Sequence, residues 1–93
     1  MIKNIDRLVI SKNVLMSKNL NAKEKLIFSG LIAFSNDLNC TTASNKELYK
    51  FFNVSEMSIK RALQTLKSLN LIESIKCDGR VRTLKIHPEN IKG

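Results

Sequence analysis

Polar side chains between residues 55 and 69 are of the types that hydrogen-bond to the exposed edges of nucleic acid bases. Arg61 carries two parallel N–H donors that match O6 and N7 of guanine, and Gln64 carries the donor and acceptor that match adenine. Ser58 could bond to a base edge or to a phosphate. Met57 could pack against the methyl group of thymine, although an ordinary surface methionine is an equally good interpretation. These residue types favour recognition of double-stranded DNA.

Two further groups of residues could hold the phosphate backbone of such a partner. The first group provides donors at the starts and flanks of predicted helices: Thr42, Ser44, Asn45, Lys46 and Lys60. The second group forms a basic stretch near the C-terminus: Lys76, Arg80, Arg82 and Lys85. Cations on a hairpin beside a DNA-reading helix can lie along phosphates or enter the minor groove. The competing interpretation is that these charges only protect the edge of a sheet, and we favour DNA contact because the chain also predicts the helix.

Only a helix would hold the base-reading side chains on one face, and residues 55–69 have a helical period. Apolar residues recur there at the spacing of one helix face: Ile59, Ala62, Leu63, Leu66 and Leu69. Ser55 is suited to cap the N-terminus of this helix, and Asn70 can end it in the left-handed conformation. The polar residues then fall opposite the apolar stripe, as required of a helix that lies in the major groove.

A shorter helix precedes this one and is joined to it by a tight turn. Ser44 and Glu47 have the spacing of a capping box, which predicts a helix start at residue 44. The apolar side of this helix consists of Leu48, Phe51 and Phe52. The chain then turns at residues 53–55, where Asn53 tolerates a positive φ better than most residues. These features predict a helix-turn-helix unit.

A longer helix is predicted from Asn21 to about Asn36, with Glu24 completing an Asn version of the capping box. Apolar residues surround much of its circumference: Leu26, Ile27, Phe28, Leu31, Ile32 and Phe34. This pattern predicts the central helix of a three-helix core, and so wide an apolar surface also allows a homodimer. Gly30 costs about 1 kcal/mol relative to Ala inside a helix, which predicts close packing against it. Residues 37–43 are predicted to form a polar connector.

A β-hairpin is predicted from residues 71–77 and 80–86 around Asp78-Gly79. Asp-Gly between two strand-like runs is typical of a two-residue type I′ turn. Pro88 ends the predicted sheet, and residues 7–11 could supply a third, short strand that pairs with the hairpin.

The two faces of the second predicted strand differ in character. Leu84 and Ile86 share a face with Arg80 and Arg82, whereas Val81 points to the other face. The inner half of the hairpin should therefore face the core, and its tip should face solvent or DNA.

The order of these elements resembles winged helix-turn-helix DNA-binding domains, in particular those at the N-termini of phage and plasmid replication initiators and replisome organisers of low-GC bacteria. The resembling residues are LNAKEKL at 20–26, ASNKEL at 43–48, FNVS at 52–55, IKRAL at 59–63 and LNLI at 69–72. The family more often has Gly at the position of Asn53.

This resemblance implies an α+β fold, with a three-helix core and a C-terminal β-hairpin wing. It implies sequence-specific binding of double-stranded DNA, with helix 55–69 in the major groove and the basic wing, residues 76–85, on the backbone or in the minor groove. It favours a role in plasmid or phage replication initiation. The alternatives are a small transcriptional repressor that uses the same surface, and a protein-interaction domain that docks through the helix starting at Asn21.

Length and composition bound the remaining possibilities. The 93 residues suffice for one domain, expected to span residues 1–93, and the chain could be the N-terminal part of a longer protein. The net charge of +8 favours a polyanionic partner, of which nucleic acid is the commonest. The longest apolar run, residues 26–34, is far shorter than the ~20 residues that a membrane span needs, so no membrane partner is expected.

No catalytic chemistry is predicted from the residue types and their spacing. Cys40 and Cys77 match no metal or redox pattern, and a cytoplasmic location with reduced thiols is expected. The sequence has no paired carboxylates, activated nucleophile, Gly-rich phosphate loop or cluster of metal ligands. We therefore predict neither enzymatic activity nor a cofactor, metal or small-molecule ligand.

Overall fold

Helices and one antiparallel sheet alternate along the chain in the computed structural model, which describes residues 12–78 and 81–91. The helices within these ranges are α1 (Lys12–Leu15), α2 (Ala22–Phe34), α3 (Asn45–Phe52) and α4 (Glu56–Ser68). The strands are β1 (Cys40–Thr41), β2 (Ile72–Asp78) and β3 (Val81–Ile86), and a 3-10 turn at Pro88–Asn90 follows. In the sheet, β3 lies between β1 and β2. The predicted α+β fold with a C-terminal hairpin is confirmed, and the one-turn helix α1 is added to it.

The predicted capping box starts α2. The Asn21 side chain accepts a hydrogen bond from the backbone N–H of Glu24 at 2.8 Å, and the Glu24 carboxylate accepts one from the N–H of Asn21 at 3.0 Å. The helix ends at Phe34, two residues before the predicted end, because Ser35 adopts an extended conformation with φ −79° and ψ 155°. The Ser35 hydroxyl donates to the carbonyl of Ile32 at 2.6 Å, which satisfies a carbonyl of the last helical turn.

The helix-turn-helix unit forms as predicted from its capping residues. The Ser44 hydroxyl accepts from the N–H of Glu47, and the Glu47 carboxylate accepts from the N–H of Ser44, both at 3.1 Å. Asn53 ends α3 in the left-handed conformation, with φ 56° and ψ 48°. Ser55 then caps α4 by accepting from the N–H of Ser58 at 3.1 Å. The local hydrogen bonds therefore account for both helix starts and for the turn between them.

Alanine and glycine should have different effects at Asn53, because its backbone is left-handed. Most residues with a Cβ lose roughly 1–2 kcal/mol in this conformation, asparagine tolerates it because its short polar side chain can interact with the local backbone, and glycine has no Cβ to clash. We expect Asn53→Ala to lower the free energy of unfolding by about 1–2 kcal/mol, and Asn53→Gly to change it by less than about 0.5 kcal/mol. Urea denaturation followed by circular dichroism measures both. Equal losses of stability in the two variants would show that the missing side-chain amide, and not the backbone conformation, causes the loss.

The predicted hairpin forms, but with a different register. A loop made of Asp78-Gly79 would place Ile72 opposite Lys85 and so would put a lysine on the buried face of the sheet. Instead, Ile72 pairs with Ile86, and both side chains are buried. A slip by one residue turns every side chain of a strand to the opposite face. Burial of the isoleucine pair therefore selects the observed register over the one that the Asp-Gly signal predicts.

A bulge in β2 adjusts the pairing further towards the tip of the hairpin. The register shifts between Ser74 and Lys76, which leaves Ile75 without an opposite residue, and the last described pair is Asp78 with Val81. Ile75 and Val81 are both exposed. The residues between the ends of the strands are 79 and 80, and they lie outside the described residues.

The third strand of the described sheet comes from residues 37–43, which were predicted as a connector without regular structure. Cys40–Thr41 pairs antiparallel with Leu84–Lys85 in β3. Such a short strand shows no alternating pattern of its own, and its partner is distant in the sequence, so local signals do not reveal it. The strand predicted at residues 7–11 lies outside the described residues.

The hydrophobic core lies between the three longer helices and the inner face of the sheet. Its completely buried side chains include Ile27, Phe28, Leu31, Leu48, Ile59, Leu66 and Leu84. The predicted stripe of α4 is buried apart from half-buried Leu69, and Asn70 follows it with a φ of 60°. Most of the apolar surface of α2 is covered by this core, although Leu26 stays 37% exposed. The homodimer suggested by that surface stays a prediction.

The close packing predicted at Gly30 is confirmed. A Cβ atom at this position would lie 2.1 Å from Cζ of Phe52, which is far inside van der Waals contact. The Phe52 ring also meets the ring of Phe51 edge to face, with centroids 5.0 Å apart, and lies 6.5 Å from the ring of Phe34. The end of α3 therefore packs directly on the backbone of α2, and this contact positions the turn that leads into α4.

Candidate nucleic-acid interface

The side of α4 opposite its buried stripe presents a row of exposed side chains. Met57 is 54% exposed, and Arg61 and Gln64 are also exposed. Within the described part of the chain, neither Arg61 nor Gln64 forms a side-chain hydrogen bond or ion pair. The 13 residues of α4 span about 20 Å, and the major groove of B-DNA is wide enough to admit an α-helix. The residues that were predicted to read bases are thus exposed along one side of the helix.

At the N-terminal end of α4, Ser58 is engaged within the molecule. Its hydroxyl oxygen accepts from the Ser55 hydroxyl at 3.0 Å and from Nζ of Lys23 at 3.3 Å. Ser58 is half-buried, so less of it is available to a partner than the sequence predicts. Lys23, in α2, places an additional cation beside the start of α4. The contribution of Lys23 could not be predicted from the sequence, because 35 residues separate it from Ser58 and no local pattern joins them.

Lys60 lies on the flank of α4 and is paired with an acid one turn earlier. Its Nζ lies 3.7 Å from a carboxylate oxygen of Glu56, and both side chains are 56% exposed. An exposed helix pair of this kind contributes only about 0.3–0.5 kcal/mol. An anion that binds Lys60 more tightly than Glu56 does can therefore displace that carboxylate with little loss of free energy.

Arg82 lies in β3, one residue pair from the last described pair at the tip of the hairpin, and it is held by the protein itself. One guanidinium nitrogen, Nη2, donates to the carbonyl of Ala43 at 3.3 Å, which ties β3 to the segment before α3. The Nε atom is buried and has no hydrogen-bond acceptor among the described residues. Burial lowers the pKa of the Arg82 guanidinium from its ordinary value, yet an arginine stays charged at neutral pH. This arrangement places a fixed positive charge beside α4.

A shallow cleft of about 200 Å³ lies between α4 and the start of β3. Its lining residues are Asn45, Lys60, Leu63, Gln64, Lys67 and Arg82. Four of these were predicted as DNA contacts, and the fold brings them together from α3, α4 and β3. Lys67 was not predicted, although its position seven residues after Lys60 places it on the same flank of the helix. That spacing was the available signal for this residue.

Three further residues that were predicted to contact DNA lie just before α3 or in its first turn. Thr42 is exposed in the loop before α3, Ser44 is the half-buried cap of that helix, and Lys46 is exposed in its first turn. None of the three lines the cleft. Of Lys76 only the backbone is described, and Arg80 lies outside the described residues.

Among the described residues, no helix has the length and the apolar character required to cross a lipid bilayer. No curated protein matches the chain. A solved structure described as the N-terminal domain of a DNA binding protein has a similar fold. It superposes with a TM-score of 0.65 over 88% of this chain and 75% of that chain, at 15% sequence identity. The sequence model of a family described as "Helix-turn-helix domain" matches residues 18–72, which include α2, α3, the turn and α4. The chain therefore belongs to this helix-turn-helix domain family.

Proposed function

We propose that this protein binds double-stranded DNA in a sequence-specific manner, with α4 in the major groove. The observation that carries the proposal is the division of α4 into two sides. Its apolar stripe is buried in the core, while Met57, Arg61 and Gln64 stay exposed along the opposite side. Arginine and glutamine are the side chains that pair with guanine and adenine in that groove. Membership of the helix-turn-helix family and the similarity in fold to the N-terminal domain of a DNA binding protein support the same proposal.

The wing would contact the backbone or the minor groove beside α4. Lys76, Arg80 and Arg82 are the candidate contact residues of the wing, and Arg82 is fixed by its hydrogen bond to the carbonyl of Ala43. The net charge of +8 supports this role, because phosphate contacts dominate the affinity of proteins for DNA. Lys23 adds a cation at the opposite end of α4. In this arrangement the helix reads bases and the surrounding cations set its position on the duplex.

We further propose that the bound DNA is a replication origin of a phage or plasmid. This proposal rests on the resemblance of the sequence motifs, such as LNAKEKL at 20–26 and IKRAL at 59–63, to the N-terminal domains of replication initiators and replisome organisers. A transcriptional repressor would use the same surface, and the choice between the two depends on where the preferred sequence lies in the genome. A preferred site within an origin supports replication, and one that overlaps a promoter supports repression.

Duplex binding should depend steeply on salt. With about six phosphate contacts, the slope of log K against log salt concentration should be near −5. The slope can be measured by fluorescence anisotropy with labelled duplexes. Comparing duplexes from a random pool with duplexes selected from that pool for binding also gives the preference for particular sequences. A flat salt response, with no preference for selected over random duplexes, would refute DNA binding by this surface.

A further inference from the structure

We propose that the cleft between α3, α4 and β3 is a phosphate-binding site that holds one phosphate group of the DNA backbone through Lys67, Lys60 and Arg82. This inference rests on the proposed DNA binding and identifies one ligand group of that surface. It also narrows the expected role of Arg82, which was contact with either the backbone or the minor groove, to contact with the backbone.

The charges in the cleft favour an anion. Three of its six lining residues are cations, and none of these lining residues is acidic. The ammonium group of Lys67 forms no ion pair with any residue in the described ranges. Among the described residues, the ammonium group of Lys60 forms an ion pair only with exposed Glu56, at 3.7 Å, and an anion in the cleft can replace that carboxylate. A group that carries a full negative charge would be attracted by all three cations at once.

The hydrogen-bonding groups of the cleft are suited to a phosphate in particular. Nε of Arg82 and Oδ1 of Asn45 are buried side-chain atoms without a hydrogen-bond partner in the described ranges. An unpaired buried donor is costly, and the planar fork of an arginine matches two oxygens of a phosphate. Because Nη2 is already bonded to Ala43, the guanidinium needs little further ordering to bind. The amide of Asn45 can turn to offer its N–H₂ group in place of its oxygen.

The position of the cleft favours a backbone phosphate over an isolated small anion. Gln64 lies both in the exposed row of α4 and on the wall of the cleft. Lys60, Gln64 and Lys67 follow one another along the same flank of the helix. A helix in the major groove has a phosphate strand along each flank, so a phosphate would enter this cleft while Arg61 and Gln64 face the bases. A cavity of about 200 Å³ has room for that group.

The test compares two charge-removing variants, Lys67→Gln in the cleft and Lys12→Gln in α1 as the matched control. Lys67→Gln should weaken binding to every duplex by about tenfold at low salt and should reduce the magnitude of the salt slope by about 1. It should leave the ratio between selected and random duplexes unchanged, because a phosphate contact carries no sequence information. Lys12→Gln should change the affinity by about twofold or less, since Lys12 is exposed and does not line the cleft. Thermal melts establish that both variants are folded.

A second measurement identifies the ligand directly and separates its sources. The Nε–H signal of Arg82 and the side-chain amide signals of Asn45 are followed by ¹⁵N NMR during titration of the wild-type protein. One titration uses duplex DNA, and another uses inorganic phosphate against chloride at equal ionic strength. Changes with duplex alone support a backbone site, and changes with both support a site that also accepts free phosphate.

The cleft proposal and the proposed function can fail separately. If the wild-type protein binds duplex DNA while Lys67→Gln keeps its affinity and slope and the Arg82 signal does not move, DNA binding stands and the phosphate site is wrong. If no duplex binds, the proposed function is wrong. The titration with inorganic phosphate then decides the cleft by itself, and unchanged Arg82 and Asn45 signals would overturn it.

Discussion

Replacing Gly30 with valine should lower the free energy of unfolding by about 1–3 kcal/mol, the usual cost of an overpacked core. The reason is geometric, because the added Cβ would lie 2.1 Å from Cζ and 2.9 Å from Cε1 of Phe52. The Phe52 ring has to move, and it then loses its edge-to-face contact with Phe51. Valine has a better helix propensity than glycine, but this difference offsets only a few tenths of a kcal/mol of the loss. Urea denaturation followed by circular dichroism measures the change.

A double-mutant cycle shows whether this contact is the cause. Phe52→Ala alone removes the ring and destabilises the protein through lost burial. In the presence of Phe52→Ala, however, Gly30→Val should cost much less than it does in the wild type, with a coupling of about 0.5–3 kcal/mol. Strictly additive losses would show that the valine is disfavoured by something other than the ring. DNA binding by the folded fraction of Gly30→Val provides a further check, since Phe52 immediately precedes the turn into α4.

Replacing Arg61 with alanine should remove most of the preference for the selected duplex over random duplexes. A bidentate contact between an arginine and a guanine contributes about 1–3 kcal/mol of discrimination, which corresponds to a ratio of roughly 5 to 150. Arg61 is exposed, and in the described part of the molecule its side chain has no hydrogen bond or ion pair to lose. The stability of the protein should therefore be nearly unchanged. Competition binding with selected and random duplexes gives the ratio directly.

Arg61→Lys separates base reading from charge at the same position. Lysine keeps the positive charge but lacks the planar pair of donors that fits O6 and N7 of guanine. We expect this variant to retain the wild-type salt slope while losing much of the discrimination. Lys46→Ala, which removes an exposed cation from α3, should weaken selected and random duplexes equally. If both Arg61→Lys and Arg61→Ala kept full discrimination, the proposed reading of bases by α4 would be wrong at this residue.

Several parts of the fold could be predicted because their causes lie within a few residues of one another. The capping pairs at Asn21 and Ser44 join atoms three residues apart, and each pair forms as predicted. Asn53 was expected in the left-handed conformation because its side chain tolerates positive φ, and it has a φ of 56°. The division of α4 into a buried and an exposed side follows from helical periodicity. Each of these outcomes is decided by local chemistry.

Other parts could not be predicted, because they depend on residues that meet only after folding. The strand at Cys40–Thr41 exists through its pairing with Leu84–Lys85. The hairpin register follows from joint burial of Ile72 and Ile86, which outweighs the local preference of Asp-Gly for the loop. The contact between Lys23 and Ser58 is likewise a contact between distant residues.

The sequence by itself determined the helix-turn-helix unit, its caps and the side of α4 that could read DNA, since hydrogen bonds and periodicity within one element are local. Only the tertiary structure decided that Arg82 is tied to Ala43 and that its charge joins those of Lys60 and Lys67 in one cleft. Residues from separate elements approach one another only when the core forms, because burial of apolar side chains sets the distances between those elements. The surface that could hold a phosphate is therefore a product of the fold, whereas the residues that could read a base are already visible in the sequence.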